Sequence, residues 1–97
     1  MNLTDYPGQE PLSEFGQRHH QGMARRNPQL LSTEHAYAQD CAQRRLLFFP
    51  AAFPDAPLLV FLHGGGWTNG FKEYAAFMGP LFAQAGIAFA TAGYRLA

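Results

Sequence analysis

The chain has 97 residues, seven Lys plus Arg against seven Asp plus Glu, and a formal net charge of zero. That length fits one domain, and the charge balance supplies no electrostatic footprint for nucleic acid, an acidic substrate or an anionic membrane. One cysteine, Cys41, excludes an internal disulfide, and the start, MNLTDYPGQEPLSEF, has neither the basic opening nor the apolar run of a signal peptide.

The two halves differ. Residues 1–45 carry ten of the fourteen charges but only fourteen hydrophobic residues, whereas residues 46–97 carry four charges and thirty-two hydrophobics. A half this apolar needs a cover: the first forty-five residues, a second copy, or further chain. No stretch reaches eighteen consecutive apolar residues, so no membrane span is expected and a cytoplasmic chain is the default reading. The expected division is an N-terminal helical or irregular lead-in, residues 1–42, followed by the first strands and crossover helix of an α/β domain, residues 43–97.

In chain order, Pro7-Gly8 punctuates an irregular opening and Pro11 fits a first helical residue. Leu12, Phe15, His19 and Met23 form one helical stripe, Arg25 and Arg26 suit a last turn, and Asn27-Pro28 stops it. Thr33–Tyr37 reads as a short strand and Gln43–Phe49 as another, closed by Pro50. Leu58-Leu59-Val60-Phe61-Leu62 is a continuous apolar run, which predicts a strand buried on both faces of a parallel sheet. Phe71–Ala85 repeats apolar residues at helical spacing, with Asn69 as cap, Gly86 as stop, and Pro80 forcing a kink or restart. Ile87–Thr91 reads as a second buried strand. Strand, glycine loop, helix and strand make a βαβ unit, expected to be right-handed.

His63-Gly64-Gly65-Gly66-Trp67 lies between the apolar strand and the helix, where open α/β sheets bind ligands. Consecutive glycines leave backbone N–H groups uncovered, which suits an anion. A dinucleotide fingerprint fails, because Asn69 stands at the third glycine position. A P-loop fails too: Phe71 occupies the lysine position, and Lys72-Glu73 leaves no hydroxyl for magnesium. An oxyanion hole fits, with N–H groups holding the negative oxygen of a tetrahedral intermediate, each worth about 3–4 kcal/mol.

On these residues the chain resembles the α/β-hydrolase superfamily. LLVFLHGGGW and the later YRLA are similar to the N-terminal part of hormone-sensitive-lipase-like carboxylesterases, and the HGG-x-W loop with a preceding helix resembles kynurenine formamidase-like hydrolases. The resemblance covers residues 43–97 well and residues 1–42 loosely. It implies the N-terminal part of an α/β-hydrolase fold, a mostly parallel sheet with flanking helices. It also implies that Gly65 and Gly66 are the oxyanion donors, that Gly64 allows the turn and that His63 braces the loop. Trp67 would line the substrate pocket, and Tyr94 and Arg95 would form a structural turn after the next strand. The substrate would be a small ester or, for an arylformamidase, an N-formyl aromatic amine, with no metal or organic cofactor required.

The catalytic triad of that family follows the oxyanion loop in the order Ser, acid, His. Here Ser13 and Ser32 both precede the loop, Glu73 is the one acid after it, and no histidine follows His63. These 97 residues alone are therefore expected to be inactive, with the nucleophile beyond Ala97. A non-catalytic remnant, or a subunit completed by a partner through its apolar half, is the alternative of another class. His19, His20 and His35 read as solvated side chains, since adjacent histidines diverge on a helix and no carboxylate stands at ligand spacing. Cys41 reads as an incidental thiol.

Overall fold

The computed structural model describes residues 6–27, 30–39, 41–65 and 69–96. Helix α1 runs Glu14–Arg26. It begins three residues later than Pro11 suggests, because Ser13 is the cap: its Oγ accepts from the Gly16 N–H at 3.1 Å. Glu14 in the first turn and Arg25 and Arg26 in the last suit the helix dipole. The buried stripe is rotated from the expected one. Met23 is fully buried, but Phe15 is 80% exposed, and Leu12, Gly16, His20, Gly22 and Arg26 are half-buried. Local spacing permits either stripe, and the contact with the crossover segment selects one.

Strand β1 spans Thr33–Ala36 and pairs antiparallel with β2, Arg45–Phe49. A short 3₁₀ turn, Ala42–Arg44, takes the residues expected to begin β2. Strand β3 is Leu58–Leu62 and β4 is Ala88–Ala92. The sheet order is β1-β2-β4-β3. β3 and β4 are parallel, with Val60 opposite Ala90, whereas β2 and β4 are antiparallel, with Phe48 opposite Ala90. The sheet of the described residues is thus mixed, not mostly parallel, because the short connections from β1 to β2 and from β2 to β3 reverse the chain and the connection from β3 to β4 is the crossover.

β4 is the buried centre: Phe89 and Thr91 have no exposed surface and Ala90 has almost none. Phe49, Ala75, Ala76 and Phe89 form the core, with Leu47, Met78 and Phe82 packed against it. Phe82 stacks on Phe89 with centroids 5.4 Å apart. β3 departs from expectation. All five of its residues are exposed, from 36% at Phe61 to 64% at Leu62, because it is the edge strand and pairs with β4 alone among the described strands. Its apolar run reports a strand suited to burial, not one that the described residues bury.

The crossover from β3 to β4 is not one helix. A 3₁₀ helix, Lys72–Met78, precedes α2, Gly79–Gln84. Pro80 stands in the first turn of α2, where its missing N–H costs nothing, and the Gly79 N–H bonds the Ala76 carbonyl. Asn69 caps neither segment; its amide donates to the Glu10 carbonyl at 3.1 Å. Gly86, with φ +83, ends α2 as expected. No described helix is long and apolar enough to cross a membrane.

Candidate functional site

The glycine loop leaves the C-terminal end of β3 at His63, which is buried. The ring of His63 stacks on Tyr94 with centroids 4.3 Å apart and planes 16° from parallel. Its Nδ1–H donates to the Gly64 carbonyl at 2.9 Å, and the Tyr94 hydroxyl donates to the His63 carbonyl. The start of the loop is therefore held by Tyr94, through ring stacking and a hydrogen bond, and by its own His63–Gly64 contact.

The far end closes back on that start. Gly65 has φ +148, and its carbonyl accepts from the Asn69 N–H at 3.2 Å. A Cβ on Gly65 would lie 1.6 Å from the Asn69 carbonyl oxygen. Gly70 has φ +121, and a Cβ there would lie 2.4 Å from His63 Nδ1 and 2.6 Å from the Gly64 carbonyl oxygen. Both positions demand a backbone conformation that side chains disfavour and a close approach that a methyl would block. Of the residues implied for the site, His63, Gly64 and Gly65 come together here. Gly66 and Trp67 lie outside the described residues.

Beside the loop is an apolar groove of about 380 Å³, whose lining includes His19, Phe61, His63, Gly64, Tyr74 and Phe77. His19 and His20 are not simply solvated. His19 Nε2 donates to the Tyr74 carbonyl at 3.3 Å, and His20 Nδ1 lies 2.8 Å from the Tyr74 hydroxyl. Both rings stand edge-on to Tyr74, so adjacent positions on α1 straddle one aromatic residue. Burial and the nearby Glu73 carboxylate push the Tyr74 phenol above its ordinary pKa.

The sequence reading missed a buried charged cluster next to the loop. Lys72 and Glu73 are 1% and 2% exposed. Lys72 Nζ lies 2.7 Å from Glu73 Oε2 and 3.1 Å from Glu34 Oε1. Tyr6 donates to Glu73 Oε1 at 2.7 Å, and Lys72 donates to the Tyr6 hydroxyl. Thr91 of β4 donates to the Lys72 carbonyl at 2.9 Å. Adjacent opposite charges at the head of an apolar segment are the one local hint of this cluster; its other partners come from distant parts of the chain. The Tyr6 phenol is held far above its ordinary pKa by burial first and by the Glu73 carboxylate second. Ser13 is engaged as the α1 cap, and Cys41 is a free, exposed thiol.

No protein-family model matches the chain, and no curated protein matches its sequence. Solved structures do resemble it. Esterase 2 of Thermogutta terrifontis, solved phosphoramylated by tabun, aligns with a TM-score of 0.58 and 23% identity over 73% of this chain and 30% of its own. A thioesterase candidate from Silicibacter sp. tm1040 aligns with a TM-score of 0.69 and 18% identity over 97% of this chain and 37% of its own. Esterase B of Lactobacillus rhamnosis, in an inhibited form, aligns with a TM-score of 0.60 and 24% identity over 84% of this chain and 30% of its own. The likeness is one of fold, an α/β sheet with flanking helices. The chain spans about a third of the length of these structures.

Proposed function

We propose that the chain is the opening segment of a serine hydrolase that cleaves a carboxylic ester through an acyl-enzyme, and that it supplies the oxyanion loop. Gly65 and Gly66 donate their N–H groups to the tetrahedral oxyanion. His63 and Gly64 hold the loop, and Trp67 lines the pocket for the acyl or leaving group. The observation that carries this reading is the loop itself. A glycine run at the C-terminal end of a parallel strand is pinned by Tyr94 on the His63 carbonyl and turned at Gly65 with φ +148. A hole of this kind stabilises charge only if its donors are fixed before the reaction. The fold shared with two esterases and a thioesterase candidate supports the same reading, as does the apolar β3 edge, which suits pairing with a further strand.

The nucleophile, acid and histidine would follow Ala97. The test is turnover of p-nitrophenyl acetate by the intact protein, together with labelling by a fluorophosphonate. Gly66→Pro removes one proposed donor and should lower kcat by about 10²–10³-fold. An unchanged rate, or a coding sequence without G-x-S-x-G beyond Ala97, overturns the proposal. Faster release of formate from an N-formyl aromatic amine than of acetate from the ester would assign the arylformamidase instead.

The exposed apolar edge of β3 also favours a second reading, a non-catalytic chain that seats a partner's strand there. A protein that stays monomeric on size-exclusion chromatography and labels with the fluorophosphonate excludes it.

A further inference from the structure

Residues 6–10, ahead of α1, lie along residues 69–73 in the opposite direction. Tyr6 meets Lys72 and Glu73, its ring stands 4.7 Å from that of Phe71, Gln9 meets Gly70, and the Glu10 carbonyl meets Asn69. The contact at Gln9 is of a special kind. Its Nε2 donates to the Gly70 carbonyl at 2.9 Å, and its Oε1 accepts from the Gly70 N–H at 2.8 Å. One side chain thus satisfies both backbone polar groups of a buried residue, as a neighbouring strand would.

Gly70 is also the residue that closes the glycine loop. Its Cα packs so tightly on the start of the loop that a methyl would collide with His63 Nδ1 and the Gly64 carbonyl. Any shift of Gly70 is therefore passed directly to His63 and Gly64, and through the Asn69–Gly65 hydrogen bond to Gly65. Tyr94 holds the start of the loop from β4's side. Gln9 holds its end from a segment sixty-one residues away.

We infer that Gln9 is a positioning residue for the glycine loop: its amide locks Gly70 and so sets the placement of His63, Gly64 and the proposed donor Gly65. The inference rests on the oxyanion reading above. An amide is the suitable group because it carries a donor and an acceptor side by side. An ionised carboxylate keeps only the acceptor and would face the Gly70 carbonyl with like partial charge. A misplacement of about 1 Å at a reacting centre costs about 10²-fold in rate, so a loosened Gly70 should register in kcat without contact to substrate.

The test uses the intact protein with Gln9→Leu, which keeps the bulk, and Gln9→Glu, which keeps the acceptor. Three readouts are needed: thermal melting, hydrogen exchange of the peptide covering residues 63–70, and steady-state turnover of p-nitrophenyl acetate. For both variants the expected result is a cooperative melt with Tm lowered by about 3–10 °C and loop exchange faster by about tenfold. kcat should fall by about 10–100-fold with KM within about twofold, the pattern of a lost transition-state interaction. Unchanged loop exchange in both variants overturns the inference. Faster loop exchange with unchanged kcat also overturns it, because the donors would then be set by something other than Gly70. If the parent protein itself turns over no ester, the hydrolase reading fails, and loop exchange alone decides whether Gln9 fixes the loop.

Discussion

Replacing Gly70 by alanine probes the closure of the loop with little else changed. Two costs add. The backbone at φ +121 is disfavoured for a residue with a side chain, by about 1–3 kcal/mol. The new methyl would stand 2.4 Å from His63 Nδ1 and 2.6 Å from the Gly64 carbonyl oxygen, well inside van der Waals contact. His63 is buried against Tyr94 and the carbonyl is backbone, so neither moves cheaply, and forced repacking adds about 1–3 kcal/mol. The expected loss is about 2–6 kcal/mol. Gly64→Ala is the internal control, because a Cβ there meets nothing within 4 Å, and its effect should stay within about 0.5 kcal/mol. Urea unfolding measures both, with stability read at unchanged m-value. Adding His63→Ala to Gly70→Ala should return part of the steric loss and none of the backbone loss, which a double-mutant cycle separates. A Gly70→Ala protein as stable as Gly64→Ala would refute both the positive φ and the His63 contact as constraints.

Three further outcomes follow from the core and the charged cluster. Gly79→Ala should destabilise by about 1–3 kcal/mol in urea unfolding, because its Cβ would lie 2.4 Å from the ring of Phe49 at the heart of the core. Lys72→Met should cost about 3–5 kcal/mol by leaving the buried Glu73 carboxylate without its cation, and adding Glu73→Gln should recover much of that loss. The Tyr6 phenol has a raised pKa in the folded state, so its contribution is intact below the ordinary tyrosine value near 10 and is lost as pH rises beyond it. Thermal melting from pH 8 to 11 should therefore show an alkaline fall that is shallower in Tyr6→Phe; parallel curves would rule that linkage out.

Much of the local structure was legible in the residues. The apolar run Leu58–Leu62, the restart at Pro80 and the stop at Gly86 each follow from constraints a few residues long. So did the start of the glycine loop at His63 and Gly64 directly after β3, since consecutive glycines end a strand. The stripe on α1 was less legible, because Phe15 and His20 differ by little in periodicity and are told apart only by what α1 packs against. The burial of Lys72 and Glu73 left only one local sign, the adjacency of their opposite charges. Charged residues ordinarily stay in water, and these are held by Tyr6, sixty-six residues from Lys72, and by Glu34.

The residues by themselves determined that a strand, a glycine turn, a helical crossover and a strand occur in that order, because propensity and turn chemistry act over neighbouring positions. The tertiary structure decided the rest. It placed β3 at the edge of a mixed sheet and β4 at its centre, and it closed the loop through His63, Gly70 and Tyr94. It also brought Gln9 onto Gly70. Strand order and side-chain clamps depend on which distant segments meet. That is settled by the burial of Phe49 and Phe89 in one shared core rather than by any local pattern.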